Sequence, residues 1–254
     1  MRFSIIIPNY NNEKWLPICL SSVKNQTFQD FEVLFVDDMS SDGSVELARG
    51  LLRRHDDKVI VNKTRRLNGG SRNRGIMRAK GEYIICLDSD DWLKDEHVLE
   101  DIDKALKGED IMFLDYQVKW DEGVYSEAHF DYQSLRHALT DATCAIWTKV
   151  VKTELLKSTL FPEGNLFEDR IQHYRLLRKA STFSCLKRIT HVWNKTNTNS
   201  TSQDKALYDP YKAHYVGELL ILANEIEKGN EFRNHLKAEI KAYLEQLTKL
   251  TEEL

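Results

Sequence analysis

Two short, largely apolar runs in this chain each end in acidic residues. Phe31–Val36 runs into Asp37-Asp38, and Tyr83–Leu87 runs into Asp88-Ser89-Asp90-Asp91. Runs this short suit strands covered on both faces better than helices. Phe3–Pro8, Val59–Val61 and Ile111–Leu114 are further short apolar runs. Stretches of helical character lie between them. Glu13–Asn25 puts Trp15, Ile18, Cys19, Ser22 and Val23 on one face. Ser40-Ser41-Asp42-Gly43 opens a second stretch, carrying Val45, Leu47, Ala48, Leu51 and Leu52. Gly69–Lys80 reads as a glycine turn into a helix, and Asp95–Leu106 as another helix. Such alternation predicts an α/β fold, a mostly parallel sheet flanked by helices. Ligands of such sheets bind beyond the carboxyl ends of the strands, so the acidic ends converge on one crevice.

Past residue 115 the alternation fades. Tyr116–Phe130 predicts an antiparallel excursion, Leu135–Leu156 and Phe167–Arg178 helices, and Phe183–Trp193 a strand before the polar loop Asn194–Asp204. From about Tyr208 the chain reads as a helical tail. Leu236, Ile240, Tyr243, Leu247, Leu250 and Leu254 follow an a/d spacing there. The expected division is a domain over 1–205, with halves 1–115 and 116–205, and a C-terminal helical extension over 206–254.

Net charge is −4 with both signs interspersed, which argues against nucleic acid as a partner. Leu219–Ala223 is wholly apolar but far short of the ~20 residues of a membrane span. The N-terminus opens on a strand-like run, so no signal peptide is expected. Cys19, Cys86, Cys144 and Cys185 form no CxxC or CxH pair. Free thiols in a reducing, cytoplasmic setting are the expectation.

Four segments carry the chemistry. In Asp88-Ser89-Asp90 the side chains at i and i+2 of an extended chain point the same way. Two carboxylates there make a hard-oxygen site for Mg2+ or Mn2+, or an acidic turn capping the next helix. In Gly69-Gly70-Ser71-Arg72-Asn73-Arg74-Gly75, a helix N-terminus and two arginines could face an anion. The segment is neither a Walker A loop nor GxGxxG. Val36-Asp37-Asp38-Met39-Ser40-Ser41-Asp42-Gly43 puts a carboxylate where a base or ribose could meet it, or where a helix is capped. In Phe167-Glu168-Asp169-Arg170, adjacent helical residues do not share a face, so one carboxylate at most should reach the crevice.

Together these segments resemble the inverting family 2 glycosyltransferases of the GT-A fold. Ser4-Ile5-Ile6-Ile7-Pro8-Asn9-Tyr10-Asn11 is similar to that family's opening strand. Gln26-Thr27-Phe28, Val36-Asp37-Asp38 and Ser41-Asp42-Gly43-Ser44 follow in its order. Arg72-Asn73-Arg74-Gly75, Leu87-Asp88-Ser89-Asp90-Asp91, Trp147-Thr148-Lys149, Phe161-Pro162-Glu163-Gly164 and Glu168-Asp169 complete it. The resemblance covers about residues 3–202.

The resemblance implies a Rossmann-like GT-A core and a metal-dependent transferase of bacterial surface-polysaccharide type. A sugar, hexose or N-acetylhexosamine, would move from a nucleotide-diphosphate sugar, a UDP-sugar above all, to a glycan or glycolipid acceptor. Pro8, Tyr10, Asp38, Arg72 and Asp88 would hold the donor nucleotide, with Arg72 on the base side and Asp88 at the ribose. Asp90 would bind Mn2+ or Mg2+ at the diphosphate, with Asp91 as an alternative contact. Asp169 would be the general base, kept ionised by Arg170 or the metal. Trp147, Lys149 and Glu168 belong to the acceptor side.

The chain departs from the family after its last strand. His191-Val192-Trp193-Asn194-Lys195 stands where many members carry an aromatic residue and an arginine. Lys195 would take the arginine's place at the diphosphate, and His191 is either a metal ligand or a structural residue. The 206–254 tail leaves three roles open: seating the acceptor, peripheral membrane association at the inner face, or a homo-oligomer contact. One rival is a phosphatase of the haloacid-dehalogenase type, but its Asp-x-Asp belongs after the first strand. A nucleotidyltransferase would need a glycine-rich loop where Pro8-Asn9-Tyr10-Asn11 stands. A catalytically inactive nucleotide- or glycan-binding subunit is the non-enzyme alternative, and the intact Asp38, Asp88, Asp90 and Asp169 argue against it.

Overall fold

A computed structural model describes residues 1–141, 143–164 and 168–198, and 233, 234, 237, 238, 240–242 and 245 beyond them. Strands β1 (Phe3–Asn9), β2 (Phe31–Asp37), β3 (Lys58–Val61) and β4 (Tyr83–Cys86) are parallel, in the order β3-β2-β1-β4. Helices α1 (Leu16–Lys24), α2 (Ser44–Leu51) and α3 (Leu67–Ile76) connect them. The pleat explains the apolar runs. Phe3, Ile5 and Ile7 pack on one side with Leu16, Cys19, Leu20 and Val23 of α1, while Ile6 packs on the other with Ile76 of α3.

Beyond β4 come β5 (Trp92–Leu93), α4 (Val98–Ala105), β6 (Ile111–Asp121), β7 (Val124–Ala128) and α5 (Leu135–Asp141). A 3-10 turn (Ile146–Thr148), β8 (Lys149–Lys152), α6 (Thr153–Lys157), α7 (Glu168–Lys179) and β9 (Phe183–Asn194) follow. The sheet continues as β4-β8-β6-β9-β5, with β7 pairing β6. β8 runs antiparallel to both β4 and β6, so the sheet is parallel in its first half and mixed in its second.

Three elements depart from expectation. The predicted helix over Leu135–Leu156 is broken, because Lys149–Lys152 is a strand in mid-sheet. Val150 and Val151 are fully buried there, where β-branched residues fit a pleat covered on both faces. Gly69 and Gly70 do not form a turn; they lie in the first turns of α3. A Cβ on Gly69 would come 2.7 Å from the Pro162 carbonyl oxygen, and one on Gly75 would come 2.7 Å from Ile6. These glycines let α3 lie close against its neighbours. In α1 the buried face is Leu16, Cys19, Leu20 and Val23, and Ile18 is exposed, because the helix starts after Trp15 rather than at Glu13.

Of the heptad-spaced tail residues, Ile240 is described, and it is buried in the core cluster that includes Ile171 and Leu176. Leu236, Tyr243, Leu247, Leu250 and Leu254 lie outside the described residues, as do Phe167 and the 205/206 division. Among the described residues no helix is long and apolar enough to cross a membrane.

Candidate active site

The carboxyl ends of β1 and β2 form the first wall of the crevice. Asp37 accepts hydrogen bonds from Asn9 Nδ2 (2.9 Å), the Ser40 N–H (2.9 Å) and Ser40 Oγ (2.5 Å). Asp38 is buried and accepts from Asn62 Nδ2 (2.7 Å) and the N–H groups of Arg66 and Leu67 (2.8 Å each). The start of α3 is thus occupied by Asp38, and the expectation that its N–H groups await an anion is corrected. Pro8 is buried in β1, and Tyr10 is exposed two residues on. The Arg65 guanidinium lies 3.2 Å from the Tyr10 ring centroid and 3.5 Å from the Asp38 carboxylate. Asn11, Met39 and Leu67 hold positive φ of 50°, 68° and 58°. Asn11 and Met39 lie on the loops of this wall and Leu67 opens α3 beside it, where strain in a non-glycine backbone commonly marks a functional site.

Arg72 forms the centre. It projects from α3 and is 1% exposed. Its Nη2 donates to Asp88 (2.7 Å), beyond the end of β4, and its Nη1 donates to Glu168 (2.7 Å) and Asp169 (3.3 Å), at the start of α7. Burial opposes its charge, yet Asp169, Asp88 and Glu168 hold its pKa well above the usual range. The sequence reading sent Arg72 to the base; the structure sends it to the carboxylates, joining segments 96 and 97 residues apart. Glu168 is 5% exposed and Asp169 24%, so Asp169 is the carboxylate of that pair open to the crevice. Burial pushes Glu168 up to about 8, with help from the Asp169 charge. Burial also raises Asp169, against the pull of Arg72 and Lys149 and a hydrogen bond from the Ile146 backbone. Arg72 and, less strongly, Lys149 are cations set against Asp169.

Asp90 and Asp91 part ways, as their alternating directions predict. Asp91 is buried and accepts the Asn194 N–H (2.8 Å), tying the end of β9 to the acidic motif. Asp90 accepts one amide hydrogen bond, from Asn197 Nδ2 (2.7 Å). Burial and then the charge of Asp88 push it up to about 6. Lys195 is near enough to Asp90 and Asp91 to offset their charge, and its Nζ lies 3.7 Å from the Trp193 ring centroid.

Three further candidates, Trp147, Lys149 and His191, are buried. Trp147 is 5% exposed and packs edge-on against Tyr116 and His191. Lys149 is 1% exposed. Its Nζ donates to the carbonyls of Thr143 (3.0 Å) and Ala145 (2.8 Å) and to Thr148 Oγ1 (3.1 Å). It holds the loop that carries Trp147, and burial pulls it down to about 8. His191 stacks on Tyr116, and its Nδ1 lies 3.0 Å from Thr190 Oγ1. Burial drives it down to about 3, so the ring is neutral. This is the structural surrounding weighed against a ligand role.

Among the described residues no three His, Cys, Asp or Glu side chains converge as a ready-made metal site. The pair Asp88 and Asp90 still suits a hard cation. The Asp88 charge raises the cost of ionising Asp90, and Mg2+-type sites commonly use one or two carboxylates and take the rest of their oxygens from substrate and water. Sequence reading missed Arg65, Asn12 and Asn197. Asn12 Nδ2 donates to Ser89 Oγ (2.8 Å), and Asn197 reaches Asp90 across 107 residues. No local pattern marks such an amide.

The family model "Glycosyl transferase family 2" matches residues 4–181. A poly(ribitol-phosphate) beta-glucosyltransferase of Bacillus spizizenii is 39% identical over 105 residues, 39% of this chain and 16% of that protein. Glycosyltransferase GlyG of Streptococcus pneumoniae is 29% identical over 203 residues, 70% of this chain and 65% of that protein. The chain thus spans less than two thirds of either relative. The structure of Staphylococcus aureus TarS 1-349 in complex with UDP-GlcNAc superposes with a TM-score of 0.76 at 25% identity, covering 96% of this chain and 72% of that one. The α/β sheet described above is therefore a GT-A fold.

Proposed function

This chain belongs to glycosyl transferase family 2, and from that premise we propose that it transfers a sugar from a nucleotide-diphosphate sugar to a hydroxyl of a glycan or glycolipid. The observation that carries the reading is the Arg72 bridge between Asp88 and Asp169. It sets the most open carboxylate of α7 against the acidic end of β4, with the crevice between them.

Asp169 acts as the general base and takes the proton of the attacking acceptor hydroxyl. Arg72 opposes the effect of burial and favours its ionised form. Attack opposite the leaving diphosphate inverts the anomeric centre, so an α-linked donor yields a β-linked product. Tyr10, Arg65 and Asp38 form the wall for the nucleoside, with Pro8 beneath. Lys195 meets the diphosphate as a point charge. Asp90, with Asp88, holds a divalent cation, Mn2+ or Mg2+. When bound, the cation supplies charge neutralisation at the departing diphosphate. Five carboxylates (Asp88, Asp90, Asp91, Glu168 and Asp169) surround Arg72, Lys149 and Lys195, and a diphosphate brought here alone would add to the excess negative charge. UDP-sugars are the first donors to try, since the similar TarS structure holds UDP-GlcNAc. A cytoplasmic setting, with a surface polymer as acceptor, completes the reading.

The test is thermal stabilisation by UDP, GDP, dTDP and CDP, each with and without Mn2+, followed by transfer assays on the Asp169→Asn variant. A metal-dependent shift with one nucleotide, retained in a variant that no longer transfers, supports the assignment. Unchanged transfer by that variant rejects Asp169 as the base.

A further inference from the structure

Residues 58–81 carry eight Lys and Arg and no Asp or Glu, in a chain whose net charge is −4. Arg72 belongs to the site, Arg65 lies at Asp38, and Arg66 pairs with Glu163. The others gather on one border of the fold. β3 ends the sheet and pairs with β2 alone. Arg74 of α3 donates to the Val61 carbonyl (3.1 Å) and to Asn62 Oδ1 (2.6 Å), which pins α3 beside the end of β3. Arg78, four residues on, donates to the Arg74 carbonyl (3.0 Å). These acceptors are all neutral. Arg78 and Arg66 are close enough to Arg74 to repel its charge. Lys63 lies two residues past the strand and has no carboxylate within ion-pair distance among the described residues.

Several cations elsewhere on the surface are ion-paired. Arg2 meets Glu82 and Asp103, Arg188 meets Asp95 and Asp101, and Lys104 meets Glu100. On the β3–α3 border Lys80 meets Asp56 at 3.4 Å, whereas Arg74 and Arg78 have no carboxylate within ion-pair distance among the described residues. Two apolar side chains stand out of the same surface, Val61 at 39% and Met77 at 58% exposure.

We propose that this border, formed by Val61, Lys63, Arg74, Met77 and Arg78, docks the protein on an anionic lipid surface. The cations supply the attraction, each worth about fivefold in binding near an anionic leaflet. The apolar pair decides between lipid and a soluble polyanion. Phosphates along a polymer would engage the cations and leave Met77 and Val61 in water, whereas a leaflet buries them. α3 carries Arg72 into the active site two residues before Arg74, so docking would hold the crevice at a fixed height above the lipid. The inference goes beyond the proposed transfer and does not depend on it.

The bland alternative is that these charges only keep an edge strand from pairing with another copy. Flotation of the full chain separates the readings. Vesicles of phosphatidylcholine alone are compared with vesicles containing about one-third phosphatidylglycerol, at low and high salt. Docking predicts flotation with the anionic vesicles alone and release at high salt. The Lys63→Glu/Arg78→Glu double variant should bind at least about tenfold more weakly. Met77→Ser should weaken anionic-vesicle binding severalfold with every cation in place. Unaltered melting temperatures establish that the variants are folded. Absence of anionic-vesicle binding by the native chain, or equal binding by the double variant, overturns the proposal. Binding to soluble polyphosphate that Met77→Ser leaves unchanged, together with no flotation, assigns the border to a polyanion instead.

Discussion

The ends of β2 and β4 present the same sequence chemistry, adjacent carboxylates beyond a buried strand, in opposite states. Asp37 and Asp38 are saturated by short hydrogen bonds from backbone N–H, amide and hydroxyl donors. Beyond β4, Asp91 is tied to the Asn194 backbone, but Asp90 has one amide donor and a like-charged neighbour, and is pushed up to about 6. One acidic end holds the loops in place. The other keeps electrostatic energy that a bound cation would release. A motif of two aspartates is therefore uninformative until its donors are counted.

The sharpest way to break this contrast is Asp90→Asn. An asparagine keeps the shape and still accepts from Asn197, but it removes a charge that the folded state disfavours. Transfer should fall by about 10²–10⁴. Thermal stability in chelator should rise, with a gain on the order of 1 kcal/mol. A variant that loses both activity and stability would place Asp90 in the frame with Asp38.

Next in size is Arg72→Met. Removing a buried cation from three carboxylates should cost about 3–5 kcal/mol of stability, read as a lowered denaturant midpoint. Arg72→Lys should recover part of it, since one ammonium cannot reach Asp88 and the α7 carboxylates in a fork geometry. If Met at this position leaves the midpoint unmoved, the bridge is not what joins the two halves.

Asp38→Asn tests the other member of the contrast. Its amide would point a donor at the N–H of Leu67 or of Arg66, costing about 1–3 kcal/mol. The loss should appear in the melting temperature, and nucleotide affinity should fall through the loops. A large activity defect at full stability would instead make Asp38 part of the chemistry.

The uneven legibility of this fold has the same physical root. The first four strands and the acidic ends are local facts, visible as apolar runs with polar stops. β8 is also a local run, yet its four residues sit between helical patterns, and only pairing with β4 and β6 makes a strand of them. Gly69 and Gly70 carry a true signal, small residues where space is short. What Gly69 clears is the Pro162 carbonyl, far along the chain, and what Gly70 clears is the Arg66 side chain, rather than a turn. Asp169 is singled out by the resemblance alone. That Arg72 would bind it, and that Asn197 would bind Asp90, follows from three-dimensional closure, which no spacing encodes.

The smallest expected effect concerns His191, a candidate whose surroundings, like those of Trp147, are aromatic rather than acidic. Buried between Tyr116 and Trp147, it is pulled from the ordinary histidine range to about 3. A lowered folded-state pKa means that the unfolded chain binds the proton first. Stability is therefore complete above about pH 6.5 and declines as pH falls toward 3, reaching a loss of about 2 kcal/mol near pH 5 from this group alone. His191→Phe keeps the stacking surface and removes the titration. Denaturant midpoints of the two proteins should then agree in relative order above pH 7 and diverge in favour of the variant as pH drops through 6 to 5. A constant gap across that range would mean the imidazole keeps its proton equilibrium on folding, which a ring in contact with solvent would do and a ring stacked in this box should not.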